Sequence, residues 1–217
     1  MNKFDISVQT LRRLPDYLNY LHGIAKKEGY ISATSIAAAL NLNNVQVRKD
    51  LAYVSNAGRP RKGYPIEVLI KDLESFLGYH DVDSAVIVGA GHLGKALLHY
   101  SGFQAYGLKI LAAFDNNEKI LSEEKSGSIF HIDRMKEICS ELKPKIGIIA
   151  VPAQAAQQVC DLLTECGVKA IWNFAPVHIA VSNNILVVNE NMAAHLAMLS
   201  IHLRRPLEQS ADKEINL

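Results

Sequence analysis

Apolar positions recur along the chain with two different periods, and the change from one to the other divides it. In LRRLPDYLNYLHGIAKKEG, Leu14, Leu18, Leu21 and Ala25 fall three or four apart, which predicts a helix that Gly29 can close. Pro15 suits a first helical turn, where its missing N–H costs nothing, so the helix is expected to begin near it. In YISATSIAAALNLNNVQVRKDLAYV, Ser32 can cap a helix through Leu40, NLN makes a tight turn, and Asn44 can cap a second helix from about Val45 to Val54. Two short helices joined by such a turn read as a helix-turn-helix over about residues 15–54. NAGRPRKGYPIEVL follows, with a glycine on either side of three cations, then a tyrosine and a short apolar run. It predicts a hairpin tip, or wing, at about residues 57–64, and the whole reads as a winged helix.

From residue 81 onward the pattern changes. The near-continuous apolar runs AVIV, LKILAAFD, IGIIAV and KAIWNFA read as strands, and a short strand, NILVVN, follows them. Amphipathic stretches separate them, and HIDRMKEICSELK and AQAAQQVCDLLTECG are expected to be helices. Apolar strands alternating with helices predict an α/β fold, a Rossmann-like parallel sheet covered on both faces. In the last segment, NENMAAHLAMLSIHLRR, the residues Met192, Leu196, Leu199 and Leu203 make one helical stripe. That stripe must be buried either on its own domain or against a partner subunit. The expected divisions are a winged-helix domain over 1–80, a sheet domain over 81–190, a terminal dimerisation helix over 191–205 and a disordered polar tail over 206–217.

Charge gives the front domain a candidate partner. The chain of 217 residues carries a net charge of only +1, but residues 1–80 hold 11 Lys/Arg against 7 Asp/Glu, and residues 81–217 hold 12 against 15. From Asn41 to Gly63 there are five cations, Arg48, Lys49, Arg59, Arg61 and Lys62, and one acid, Asp50. On a wheel of about 100° per residue, Val47, Leu51 and Val54 share the core face of the second helix. Val45, Lys49 and Ala52 then face outward, with Arg48 and Tyr53 on the flanks. Such a face is either an ordinary solvated surface or one that enters a major groove, with Lys49 central, Gln46 and Arg48 beside it and Asn44 near the start. A basic wing immediately after it, with Arg59, Arg61 and Lys62, favours a polyanion such as DNA.

The back domain carries a nucleotide signature. Gly89, Gly91 and Gly94 form GxGxxG between a strand expected at Ala85–Val88 and a helix expected to carry Ala96, Leu97 and Tyr100. In such a loop Ala90, His92 and Leu93 surround the phosphates, which rest on backbone N–H groups at the helix start. Asp115 ends the next strand about 20 residues beyond Gly94, the spacing at which a carboxylate accepts from adenosine ribose hydroxyls. It would repel a 2′-phosphate, so NAD(H) is expected over NADP(H); the alternative is that Asp115 only caps the turn DNNE. Val151 and Pro152 in VPAQ, and Asn173 and Phe174 in NFAP, lie at strand C-termini, where a nucleotide crevice forms.

Other chemistry is excluded or thin. Cys139, Cys160 and Cys166 form no metal spacing and no disulfide framework, and read as buried small side chains in a reducing compartment. Eight histidines include no evident acid–base partner for a nicotinamide, and no second substrate domain is present, so neither a catalytic residue nor a metal site is expected. The N-terminus has no secretory signal, and no segment approaches the roughly 18 apolar residues of a membrane span. A cytoplasmic location is expected.

The motifs LRRLPDYL, QVRKDLAYV, GYPIEVL, VGAGHLGKAL, YSGF, AAFD, AVPAQAAQQV and NFAPV, in this order, resemble the Rex redox-sensing transcriptional repressors of bacteria over nearly all of residues 10–205. The resemblance implies an N-terminal winged helix, a Rossmann NAD(H) domain and a homodimer that exchanges its C-terminal helices. It also implies binding to palindromic double-stranded operators and release when NADH accumulates. Gln46, Arg48 and Lys49 carry over as recognition-helix contacts. Gly89, Gly91, Gly94 and Asp115 carry over as NAD(H) contacts, and Tyr100 as a tyrosine beside the nicotinamide. Two places depart from the family. Its wing usually reads GKRGVGY, whereas Pro60 and Arg61 occur in GRPRKGY here. Asn191 stands where an aspartate, thought to take part in switching, is common. Rival readings are an NAD-dependent oxidoreductase, or a Rossmann module that binds CoA or another adenine nucleotide and acts through a protein partner.

Overall fold

The computed structural model describes residues 6–24, 29–123, 127–182 and 184–204. The expected tail and the Ala25 end of the first helix lie outside them. The chain separates into two compact units, divided between His80 and Asp81.

In the first unit, α1 (Val8–Ile24) begins seven residues before Pro15 and not at it. Ser7 starts the helix: its carbonyl accepts from Leu11 N at 3.0 Å and its Oγ from Thr10 N at 3.1 Å. Pro15 therefore sits inside the helix, depriving the Leu11 carbonyl of its usual donor. The helix persists because Leu14, Tyr17, Leu18 and Leu21 are buried along one stripe. After β1 (Tyr30–Ile31), Ser32 caps α2 (Ala33–Ala39) as expected, accepting from Ser35 N. The turn passes through Asn41, whose φ of 52° is in the left-handed region that asparagine tolerates.

The cap of α3 (Asn44–Val54) is Asn43, one residue earlier than expected. Its extended backbone aims Oδ1 at Val45 N (2.9 Å) and Gln46 N (3.3 Å). Asn44 is already helical, and its Oδ1 accepts from Thr34 Oγ1 at 3.2 Å, tying α3 to α2. Then β2 (Tyr64–Pro65) pairs antiparallel with β1, Ile31 opposite Tyr64. The apolar run after the wing is a helix, α4 (Ile66–Leu77). Ile66, Leu69, Ile70 and Leu73 are buried at helical spacing, and left-handed Gly78 ends it.

The second unit is a six-stranded, wholly parallel sheet in the order β5-β4-β3-β6-β7-β8. Its elements run β3 (Asp83–Val88), α5 (His92–Leu98), β4 (Leu108–Asp115), α6 (Glu118–Ser122), β5 (Ile129–His131), α7 (Met135–Leu142), β6 (Ile146–Ile149), α8 (Ala153–Glu165), β7 (Ala170–Asn173), β8 (Leu186–Asn189) and α9 (Met192–Arg204). The chain steps outward from β3 to β5, then returns to lay β6 on the other side of β3. That reversal opens a crevice at the strand C-termini.

Three details differ from expectation. His131 is on β5, and α7 begins only at Met135 after a 3-10 turn. β5 and α6 are too short to show a period of their own. Tyr100 is not on α5, which stops at Leu98. It leads instead into a 3-10 helix, Ser101–Tyr106, that Gly107 closes. Ser101 and Gly102 are poor α-helix residues, so the chain tightens there. No residue of α9 is buried in this chain, and Leu203 is 83% exposed, so its apolar stripe does not pack on its own domain. Among the described residues, no helix is long and apolar enough to cross a membrane.

One buried charge organises the first unit. Asp50, on the inward face of α3, is 3% exposed. It accepts from Arg13 Nε (2.8 Å) and Nη2 (3.1 Å), Tyr17 Oη (2.8 Å) and Thr10 Oγ1 (3.0 Å), all on α1. Burial, and then the bond to Asp50, raise the Tyr17 pKa above that of a free phenol. A folded-state pKa above the unfolded value contributes stability that is complete below about pH 10 and declines as pH rises. Tyr17→Phe should therefore cost about 1.5–3 kcal/mol at neutral pH, the loss of a hydrogen bond to a charged group. It should also flatten the alkaline fall in stability by up to about 1.4 kcal/mol per pH unit. Urea unfolding of both proteins at pH 8 and pH 11 measures this, and parallel losses would remove Tyr17 as the cause.

Candidate functional site

Each unit presents one candidate surface. In the first, α3 turns Val45, Gln46, Arg48, Lys49 and Tyr53 to solvent and buries Val47 and Leu51, as the wheel requires. Asn44 is half-buried, held by Thr34. The wing is a tight hairpin tip. Arg59 and Gly63 form a bridge, with Arg59 N donating to Gly63 O (2.8 Å) and Gly63 N to Arg59 O (3.0 Å). Arg61 stands at the tip with φ 62°, in the left-handed region that favours glycine. Gly63 is required at its position: φ is 87°, and a Cβ would meet the Ile31 carbonyl.

The wing cations have a partner that sequence patterning missed. The Arg59 guanidinium and the Lys62 ammonium lie 5.7 and 5.8 Å from the centroid of the Tyr30 ring, within cation–π range. Tyr30 is 35 residues before Pro65, its register partner, so only the β1–β2 pairing brings it to the wing. The ring steadies two cations whose heads remain exposed.

In the second unit, the glycine loop leaves β3 and enters α5 over the crevice. Gly89 N donates to Phe114 O at 2.8 Å. Ala90 N donates to Asp115 Oδ2 at 2.7 Å, while Asp115 Oδ1 accepts from Asn117 N at 2.9 Å. Asp115 thus does cap the turn after β4, and it also pins the glycine loop. These two bonds leave lone pairs on both oxygens, since a carboxylate offers about four acceptor sites. A Cβ on Gly94 would strike the Gly89 carbonyl, whereas a Cβ on Gly91 would meet nothing within 4 Å. Gly94 is therefore needed to close the loop onto the helix, while Gly91 leaves open space.

That space continues into a cavity of about 810 Å³ at the ends of β3, β4 and β6. Gly89, Gly91, Asp115, Val151 and Pro152 line it, together with Asn116, Asn117, Ile132, Met135, Lys136 and Gln158, which sequence reasoning did not reach. Half of these, Ile132, Met135 and Lys136, come from the short β5–α7 segment, which has no motif. Ala90, His92, Leu93 and Gly94 belong to the loop and first turn but do not line the cavity. Asn173 is fully buried, and its amide is spent on Ala175 and Val177 carbonyls, Asn189 Oδ1 and Ala175 N. Phe174 and Tyr100 also lie off the cavity wall, at the two ends of an aromatic series. Tyr100 meets Phe103 at 5.0 Å, Phe103 meets Trp172 at 5.9 Å, and Trp172 meets Phe174 at 4.9 Å. Trp172 Nε1 donates to Glu190 at 2.9 Å.

The thiols are not reactive centres. Burial pushes Cys139 up to about 12 and raises Cys160 and Cys166, so thiolate is scarce at neutral pH. Among the described residues, no group of three or more His, Cys, Asp and Glu is placed to hold a metal ion.

Comparison with known proteins agrees with both halves. Residues 80–177 match the family model of a CoA binding domain, and residues 5–52 match one for the N-terminus of DNA-binding proteins. A protein of Treponema denticola named redox-sensing transcriptional repressor Rex is 40% identical over 194 residues, covering 88% of this chain and 92% of that protein. Its namesake in Bacteroides fragilis is 42% identical over 192 residues, covering 88% and 87%. Among solved structures, RSP in complex with β-NAD⁺ and operator DNA superposes with a TM-score of 0.85 at 29% identity, over 91% of this chain and 92% of that one. RSP in complex with β-NADH gives 0.82 at 28%, over 92% and 94%.

The two glycines should separate in a folding measurement. Gly94→Ala must displace the Gly89 carbonyl and should destabilise the second unit by about 2–4 kcal/mol, the range of an overpacked, strained site. Gly91→Ala should unfold within about 0.5 kcal/mol of the wild type. Thermal denaturation of the two variants distinguishes them, and equal melting temperatures would contradict the loop geometry.

Proposed function

The chain belongs to the Rex family of redox-sensing transcriptional repressors, and from that premise we propose that it binds palindromic operator DNA when NADH is low and releases it when NADH binds. It is a regulator and not an enzyme. The observation that carries the reading is the pairing of a pinned glycine loop over an 810 Å³ cavity with an exposed cationic helix and wing on the same chain.

On this reading the front domain, residues 1–80, docks α3 in the major groove. Lys49 is central, Gln46 and Arg48 lie beside it, Asn44 is near the start, and Arg59, Arg61 and Lys62 meet the phosphate backbone. Residues 81–190 hold NAD(H). The residues present fit it, because the missing Cβ of Gly91 leaves room for a pyrophosphate against the backbone, next to a carboxylate with free lone pairs. Gly89, Ala90, His92, Leu93 and Gly94 shape the loop. Asp115 accepts from the ribose hydroxyls, and Val151 and Pro152 wall the crevice. Asn173 shapes it indirectly, through the turn it holds, with Phe174 and Tyr100 on the nicotinamide side. Asp115 repels a 2′-phosphate and suits a free ribose better than the 3′-phosphorylated ribose of CoA. NADH supplies the reduced nicotinamide that distinguishes it from NAD⁺.

A ligand shifts an equilibrium only by its differential affinity for the two states, so the two forms of the cofactor must favour different arrangements of the dimer. The exposed stripe Met192–Leu203 supplies the surface for a homodimer with α9 exchanged, and a cytoplasmic location follows from the role. The departure at Asn191 bears on the switch. Its Oδ1 caps α9 by accepting from Ala194 N at 2.9 Å, a bond aspartate makes equally well, so Asn191→Asp changes charge and leaves the cap intact.

A titration of the protein onto a palindromic duplex with NADH or NAD⁺ added tests the whole reading. NADH should dissociate the complex, NADPH should be weaker than NADH, and Gly91→Ala should bind DNA but no longer respond. DNA binding indifferent to both nucleotides would refute the redox reading. In the same titration, Asn191→Asp should widen the NADH-to-NAD⁺ difference by a factor of about 5 or more, the lower end of ordinary allosteric coupling. An unchanged ratio would remove this position from the switch.

A further inference from the structure

We propose that Arg13, on α1, determines which base edge Gln46 can read, by holding the Gln46 amide oxygen so that the amide presents only donors outward. The inference rests on the operator-binding reading above and concerns its specificity.

The Arg13 guanidinium is fixed before DNA arrives. Nε and Nη2 fork onto the two oxygens of buried Asp50 at 2.8 and 3.1 Å, and Nη2 also reaches Thr10 Oγ1 at 3.2 Å. Asp50 is itself held by Thr10 and Tyr17, so neither partner can swing. The edge of the fork that remains faces Gln46. In the amide orientation that satisfies both groups, Gln46 Oε1 accepts from Nη1 at 2.9 Å and from Nη2 at 3.1 Å. A guanidinium has five donors and no acceptor, so it can only face the amide oxygen.

The consequence is chemical. Gln46 lies on the exposed face of α3, in a concavity shared with Gln9, Lys49 and Tyr53. A free glutamine reads adenine with both ends of its amide, donating to N7 and accepting from the N6 amino group. With its oxygen occupied by Arg13, Gln46 can donate but not accept. It therefore suits guanine N7 and O6 or thymine O4, and forgoes the two-bond contact to adenine. Arg13 is a positioning residue, which acts on the base through Gln46.

Selection of binding sites from a randomised palindromic duplex by the full-length protein tests this. The position read by Gln46 is the one whose preference disappears in Gln46→Ala. The wild type should select guanine or thymine there. Arg13→Lys keeps a cation against Asp50 but loses the fork, and should raise adenine at that position relative to guanine and thymine by about tenfold, the value of one good two-bond contact. The double variant Arg13→Met with Asp50→Leu removes the buried pair together, a replacement proteins tolerate, and should give the same shift if Arg13→Lys folds poorly. Three results would overturn the proposal: adenine selected by the wild type, no base preference lost in Gln46→Ala, or folded Arg13 variants that weaken on all sequences equally. The last would assign Arg13 a purely structural role. Failure of the wild type to bind any duplex would instead defeat the operator-binding reading.

Discussion

A single buried carboxylate, Asp50, holds the first unit in a usable form. It lies on the helix that carries the exposed cations, yet all its hydrogen-bond partners, Thr10, Arg13 and Tyr17, are on α1. An unpaired charge at that depth would be costly, so the orientation of α3 against α1 is set by the need to keep four bonds made at once. Apolar packing of Leu14, Leu21, Val47 and Leu51 brings the two helices together but allows some sliding. The charged fork is directional and does not. The outward positions of Gln46, Arg48 and Lys49 follow from that lock.

The second unit uses a carboxylate in a comparable way. Asp115 ends β4 and reaches sideways to the backbone of Ala90 on the loop after β3. Neighbouring parallel strands thus set the height of the glycine loop over the crevice, and the close approach of Gly94 to the Gly89 carbonyl sets its curvature. Both devices leave something unfilled: lone pairs on Asp115 and an open volume at Gly91. A site shaped by bonds within the protein but left incomplete toward solvent is preorganised for a ligand that completes it. In the wing, the Tyr30 ring plays the corresponding part, steadying Arg59 and Lys62 while their charges stay available.

Some choices in the chain run against local preference, and each has a visible compensation. Pro15 interrupts the hydrogen bonding of α1, and the buried stripe around it keeps the helix whole. Arg61 occupies a left-handed turn position where glycine would be unstrained, and the Arg59–Gly63 bridge holds it there. α9 exposes six large apolar side chains. An exposed apolar face of that kind marks an interaction surface.

By itself the sequence determined the two-part organisation, the helix-turn-helix, the parallel sheet, the glycine loop and the placement of Asp115 at the end of the next strand. These are written in periods and spacings of a few to about 20 residues, and local backbone geometry obeys them wherever the chain is. The tertiary structure decided the rest. It moved the cap of α3 from Asn44 to Asn43, took Tyr100 off α5, added β5 and α6, and turned Asn173 inward. It also made Asp50 a buried anchor, brought Tyr30 under the wing and set the Gln46 amide against Arg13. None of these is periodic. The α3 cap and the place of Tyr100 turn on neighbouring residues, and β5 and α6 are too short to show a period, whereas Asp50, Tyr30, Asn173 and Gln46 depend on partners distant in sequence that exist only once helices and strands have packed.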